Sequence, residues 1–294
     1  MSLINEMKLV YRYLRNIDGL TRIRKIKILN DKNTIKEIIN TKKAVARFGD
    51  GELNFIFYDN NKIGFQDNSK ELTKRLKEIL NSKNDNVLIG LPDKFVRLFN
   101  NTYDSKDFWL NYVILNEEKI LKEIDINRTY INTNFTRFYM DYKLKCFVKN
   151  KVKMIKKIWD NRDIVIVEGD KTKLGVGNDF FSNAKSIKRI ICPNKNAFLC
   201  YDKILNECKK IYKDKLILIA LGPTATVLAY DLGVEGYQAI DVGHVDIEYE
   251  WYLLKAKEKV AIDGKFVNEV NNSKEDNTLD DASYKKSIIT VIKM

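Results

Sequence analysis

Asp50 and Glu52 stand one glycine apart in AVARFGDGELNFIF, residues 44–57, directly behind a short apolar run. In extended backbone, residues i and i+2 face the same side. Two carboxylates so placed offer hard oxygen ligands to one divalent cation, and Gly51 between them leaves room for a phosphate to approach. Asp-Gly is also an ordinary turn signal, so the same residues read as a plain bend.

Other candidate groups follow other apolar runs. DIVIVEG leads into DKTKLGVGNDFF, where Gly175 and Gly177 form a GxG. The third glycine of a dinucleotide fingerprint is replaced by Phe180, and the Walker pattern is missing. What remains is a loop with Lys171 and Lys173 that can offer amides and charge to an anion. KRIICP leads to Asn194 and Asn196, which can cap a helix or read a base or a sugar hydroxyl. LILIAL leads to Gly222, Pro223 and Thr224, a strand-to-helix turn that either holds phosphate on free amides or is simply capped. YQAID leads to His244, the only histidine, among Asp241, Asp246, Glu248 and Glu250. A histidine there can ligate a metal or bond a diphosphate, and a neighbouring carboxylate can take a proton from an acceptor hydroxyl.

These groups converge only if a scaffold brings them to one edge. IVIV and LILIAL are apolar throughout rather than alternating, which predicts strands covered by helices on both faces. The fold class expected is therefore α/β, a mostly parallel sheet flanked by helices. Ligands in such sheets bind beyond the carboxyl ends of the strands, where all five loops lie. Strands are expected at KAVARFG, NVLIGLP, RTYINTNFTRF, DIVIVEG, SIKRIICP, KLILIALGP, YQAIDVGH and SIITVI. Helices are expected between them, one opened by Asn68 and Ser69, and NEVNNSKEDNTLDDASYKK is expected as a loop.

Leu3, Met7, Val10, Leu14 and Ile17 repeat at helical spacing and predict an N-terminal helical extension over residues 1–35, ahead of one domain over 36–294. Arg12, Arg15, Arg22, Arg24, Lys25 and Lys27 make the extension basic. One reading docks it on an anionic membrane surface or a partner enzyme; the other packs it on its own domain with solvated charges.

The 294 residues are 45% hydrophobic with three prolines, a composition that folds. A net charge of +12 suits a nucleotide, an anionic glycan, an anionic membrane or nucleic acid without choosing among them, and no nucleic-acid-reading motif is recognisable. Cys146, Cys192, Cys200 and Cys208 form no CxxC pair and, with a single histidine, argue against a Cys/His zinc module. Nothing demands disulfides, the start lacks a signal-peptide pattern, and no apolar stretch reaches the roughly 18–20 residues of a membrane span. The expected location is cytoplasmic, at the inner membrane face if the basic extension docks there.

Taken together, RFGDGEL, EGDKTKLGVGNDFF, ICPNKNAF, LGPTATVLAYDL and QAIDVGHVDIEYEW resemble, in order from about residue 44 to 252, the bacterial glycosyltransferase family of the GT-D fold. The resemblance implies a Rossmann-like domain that binds a UDP-sugar and a divalent metal, Mn²⁺ or Mg²⁺, through an Asp-x-Glu motif. Asp50 and Glu52 match that motif, and His244 is a further candidate ligand. The implied reaction moves a sugar, such as glucose, to a hydroxyl of a glycan acceptor in surface glycoprotein or polysaccharide assembly, beside other glycosyltransferases. On this footing Gly49, Gly51, Gly175, Gly177, Asn178, Asn194, Asn196, Gly222, Pro223 and Thr224 serve the nucleotide and its phosphates. Arg47 adds positive charge to the leaving group. Asp246, Glu248 or Glu250 is the base on the acceptor, Glu248 by preference, in a direct inverting displacement. The alternatives are a non-catalytic nucleotide-sugar or nucleic-acid binding module, a Rossmann-type methyltransferase or dehydrogenase, and an inactive partner of another glycosyltransferase.

Overall fold

The unbroken apolar runs become strands. The computed structural model describes residues 3–58, 62–267, 269–270 and 281–294. Its strands are β1 (Lys27–Ile28), β2 (Ala44–Arg47), β3 (Lys62–Ile63), β4 (Gln66–Asp67), β5 (Val87–Leu91), β6 (Thr129–Asn132), β7 (Asp163–Gly169), β8 (Ser186–Cys192), β9 (Leu216–Ala220), β10 (Gln238–Asp241) and β11 (Ile288–Val291). Its helices are α1 (Leu3–Arg15), α2 (Ile17–Ile23), α3 (Asp31–Thr41), α4 (Asp50–Phe57), α5 (Lys70–Leu80), α6 (Tyr103–Glu123), α7 (Val148–Lys156), α8 (Tyr201–Lys209), α9 (Pro223–Val234), α10 (Val245–Leu253) and α11 (Ala282–Ser287).

Nine strands form one sheet in the order β1-β6-β5-β2-β10-β9-β7-β8-β11, each neighbouring pair parallel. The short β3–β4 pair is an antiparallel hairpin beside it. Ile217 and Ile219 of β9 belong to the core on one face, with Leu53, Leu76 and Leu228. Leu216 and Leu218 belong to the core on the other, with Ile35, Ile155 and Trp251. Burial on both faces is why these strands show no alternation.

Successive helices part at the middle of this sheet. α4, which follows β2, packs with α5, α6, α8 and α9 on one face, whereas α10, which follows β10, packs with α3 and α7 on the other. β2 and β10 are adjacent, so their carboxyl ends flank a topological switch point, the place where open α/β sheets leave a crevice.

Three local expectations change. The extended stretch expected through Phe138 ends at Asn132 and tightens into a 3₁₀ turn, Thr133–Thr136, because the Asn132 side chain accepts the Asn134 amide. Of the loop expected over 268–286, residues 268 and 271–280 lie outside the described residues. Its end forms α11, capped by the Asp281 carboxylate on the amides of Ser283 and Tyr284. In α1 the expected apolar stripe points outward, with Met7, Val10 and Leu14 exposed, while Leu9 faces the domain. Arg12 sets this orientation by bonding Asp107 and Asn111 of α6. Among the described residues, no helix is long and apolar enough to cross a membrane.

Candidate functional site

A cavity of about 770 Å³ runs along the carboxyl edge of the sheet, from the loops after β8 and β7, past β9, β10 and β2, to the start of α6. Arg47, Gly49, Asp50, Gly51 and Glu52 line its centre. Here the backbone differs from expectation, because α4 begins at Asp50 and the pair is helical, not extended. Residues i and i+2 of a helix point to roughly opposite sides. Asp50 and Glu52 share one cavity only because it lies off the helix N-terminus, where Glu52 folds back to accept the Gly49 amide at 2.8 Å.

Carboxylates crowd this point. Burial, and then the charge of Asp241, pushes Glu52 up to about 7. Burial also raises Asp50 against the pull of Arg137, and Asp241 against the pull of Arg47. Arg47 Nη1 lies 3.3 Å from Asp241 Oδ1, and its Nε donates to the Thr133 carbonyl at 3.1 Å. Thr226 donates to the Arg47 carbonyl, and the Gly243 amide donates to Asp241. Arg47 therefore spans the crevice between β2 and β10.

Arg137, from the turn after β6, is a second cation on the wall. It pairs closely with Glu269, which Lys259 also grips. Burial opposes ionisation of Glu269, yet Arg137, His244 and Lys259 hold its carboxyl well below the usual range. His244 sits with Nδ1 3.4 Å from Arg137 Nη2, and burial, then Arg137, lowers it to about 4. The imidazole is therefore neutral at neutral pH. His244 lines the same cavity as Asp50 and Glu52, and among the described residues no three His, Cys, Asp or Glu side chains are already gathered around one metal position. A cation bound by Asp50 and Glu52 would complete its shell with substrate oxygens and water.

The carboxylates after His244 lie on α10, and helical geometry separates them. Asp246 and Glu250, one turn apart, share Asn178 at 2.8 and 2.7 Å and Lys265 at 2.6 Å each. Glu248 points elsewhere and accepts the amides of Tyr139 and Met140 at 2.7 and 3.0 Å. Asp246 lines the cavity; Glu248 is fully buried outside its lining, and the half-buried Asn178 also falls outside it. That geometry takes the acceptor base role from Glu248 and gives it a structural one, holding the backbone behind Arg137.

The other half of the cavity is lined by Gly169, Thr172, Leu174, Asn194, Ala197, Leu221 and Gly222, roofed by Ile63, Phe65 and Gln66 of the hairpin. Gly222 has φ 56°, and a Cβ there would stand 2.1 Å from the Phe65 ring. Asn196 is engaged in docking the hairpin: its amide donates to the Phe65 carbonyl and its side chain accepts from Asp67, both at 2.8 Å. Thr224 is buried and bonds Gln66. Pro223, Gly175 and Gly177 also fall outside the lining. Gly175 has φ 73° and packs against Phe181, so these loop glycines shape the turn.

Several lining residues carried no local signal. Glu269, Lys259, Phe65, Thr102 at the cap of α6 and the α6 residues Asp104, Ser105, Phe108 and Trp109 belong to this group. Arg137 and Asp141 could have been found, since they follow β6 as the other candidates follow their strands.

A family model described as glycosyltransferase GT-D fold matches residues 45–270. The chain is 37% identical over 260 residues to "Glycosyltransferase GlyD" of Streptococcus pneumoniae serotype 4, a match covering 88% of this chain and 32% of that protein. It is 35% identical over 269 residues to "Probable glycosyl transferase Gly" of Streptococcus gordonii, covering 90% of this chain and 39% of that protein. The chain thus spans well under half the length of either relative. A solved structure reported as "The highly conserved domain of unknown function 1792 has a distinct glycosyltransferase fold" matches with TM-score 0.90 and 38% identity, over 95% of this chain and 100% of that one. "A New Glycosyltransferase (DUF1792) from Streptococcus sanguinis" matches with TM-score 0.85 and 36% identity, over 91% and 100%.

Proposed function

This chain belongs to the glycosyltransferase GT-D fold family, and we propose that it moves a sugar from a UDP-sugar to a hydroxyl of a glycan acceptor, with Mn²⁺ or Mg²⁺ held at Asp50 and Glu52. Support comes from one juxtaposition: Asp50 and Glu52 occupy the first turn of α4 on the cavity floor, with Asp241 close enough to raise Glu52. A helix N-terminus attracts phosphate, but these carboxylates repel it unless a cation stands between. The donors are all hard oxygens, as such a cation requires. Its contribution when bound is positive charge at the diphosphate.

The chain's own groups do the rest. Arg47 and Arg137 place fixed positive charge beside the leaving group. Gly222, Asn194 and Thr172, under Phe65, receive the nucleoside. Asp141, which also lines the cavity and whose backbone carbonyl accepts the Thr102 amide at 2.9 Å, takes the acceptor proton in place of Glu248. As the acceptor oxygen forms its bond to the anomeric carbon, the bond from that carbon to the diphosphate breaks and UDP leaves with the electron pair.

Calorimetric titration with UDP, in Mn²⁺ and in EDTA, tests this reading alongside Asp50→Ala. Metal-dependent binding that the variant loses is expected. Binding indifferent to both metal and Asp50 would leave a nucleotide pocket and remove the role given to the carboxylates. No binding under any condition would exclude UDP as the carrier.

A further inference from the structure

The cavity continues past the nucleotide and phosphate groups to a wall of different chemistry, built by the first turns of α6. Resting on the glycosyltransferase reading, we propose that this wall is the acceptor subsite and that Phe108 is the platform against which a pyranose ring of the acceptor glycan stacks.

Strand order separates the two halves of the cavity. The loops after β9, β7 and β8 lie on one side of β2, and α6, which follows β5, lies on the other. Asp50 and Glu52, at the end of β2, stand between them. The reacting carbon of the donor must lie near the centre, so a second substrate can approach it from the α6 side, opposite the donor loops.

The α6 wall suits a sugar. Phe108 lines the cavity and is 47% exposed, although it stands on a helix whose other aromatic residues are packed. Its ring meets Trp109 edge-on at 5.2 Å and lies against Tyr112 at 6.1 Å, and Trp109 is itself braced by Phe95 at 5.8 Å. The ring is thus fixed from behind and open in front, a flat apolar surface available to the C–H face of a pyranose. Around it, Thr102, Asp104, Ser105 and Asp141 supply hydroxyls and carboxylates that can bond sugar hydroxyls. The two carboxylates disfavour a diphosphate here, which leaves the donor to the side lined by Gly169, Asn194 and Gly222, with Arg47 at its inner end. Tyr112 carries the wall back to the reaction centre, its hydroxyl 3.5 Å from the Asp50 carbonyl.

Saturation-transfer NMR on the full chain tests the subsite, with methyl β-glucoside and methyl β-N-acetylglucosaminide as probes, each with and without UDP and Mn²⁺. Saturation should reach the ring C–H protons of at least one probe. Phe108→Ala should weaken that binding about tenfold, while Phe108→Trp retains it and calorimetric UDP affinity stays the same in both. Phe108 is exposed, so neither variant opens the core. Equal sugar binding by wild type and Phe108→Ala would overturn the proposal, as would the failure of both probes to receive saturation. Failure of wild type to bind UDP would instead refute the donor reading, while the sugar titration still decides the subsite.

Discussion

Arg47, the last residue of β2, reaches across the switch point to Asp241, the last residue of β10, at 3.3 Å. Both side chains are largely buried, and the pair joins the two strands from whose ends the helices diverge. Arg47→Ala would leave a buried carboxylate without its cation, and the expected cost is about 3 kcal/mol of folding stability in chemical denaturation. Adding Asp241→Asn should recover part of that loss. No recovery would mean that Arg47 stabilises through the Thr133 carbonyl alone.

Glu52 makes stability and metal affinity respond to pH in opposite senses. Its folded value of about 7 exceeds its ordinary 4.5, so between these values the folded chain holds a proton that the unfolded chain has lost. In EDTA the stability from this group is full below about pH 4.5 and is lost as pH rises through about 7. Mn²⁺ binding needs the ionised form, so affinity should climb toward neutral pH and level off above it. Thermal melts of wild type and Glu52→Gln across this range, with and without Mn²⁺, check both slopes. Identical slopes in the two proteins would assign the dependence to another group.

Glu248 and Asp141 can be told apart by turnover. Glu248→Gln weakens a buried hold on the amides of Tyr139 and Met140, so a lower melting temperature is expected with kcat changed only severalfold. Asp141→Asn removes the proposed base, and kcat should drop about 100-fold with UDP affinity retained. The reverse pattern would return the base role to Glu248.

Gly222 should not accept a side chain. Its φ of 56° with ψ of −140° is a conformation that L residues avoid, and the Phe65 ring occupies the space a Cβ would need. Gly222→Ala is expected to cost about 1–3 kcal/mol in denaturation and to weaken UDP binding in calorimetry, because the hairpin must shift. Unaltered UDP affinity would show that the hairpin does not roof the nucleoside.

What the sequence by itself determined is the scaffold and the edge that carries the chemistry. Apolar runs such as LILIAL and IVIV become strands buried on both faces, and Ser69 caps α5 on the Leu72 amide, because these outcomes depend on neighbours along the chain. The family followed from short motifs at successive strand ends. Which side chains enter the cavity was decided by tertiary structure. Asp246 and Glu248 differ by two positions, yet α10 turns one toward Asn178 and Lys265 and the other toward Tyr139. Asn196 left the nucleotide side to hold the hairpin, and Arg137 gained its role from Glu269, far along the chain. The physical reason is one of range. Backbone form is largely set by local propensity and hydrophobic period, whereas the direction of a polar side chain is set by the charge or amide it meets once distant segments have packed.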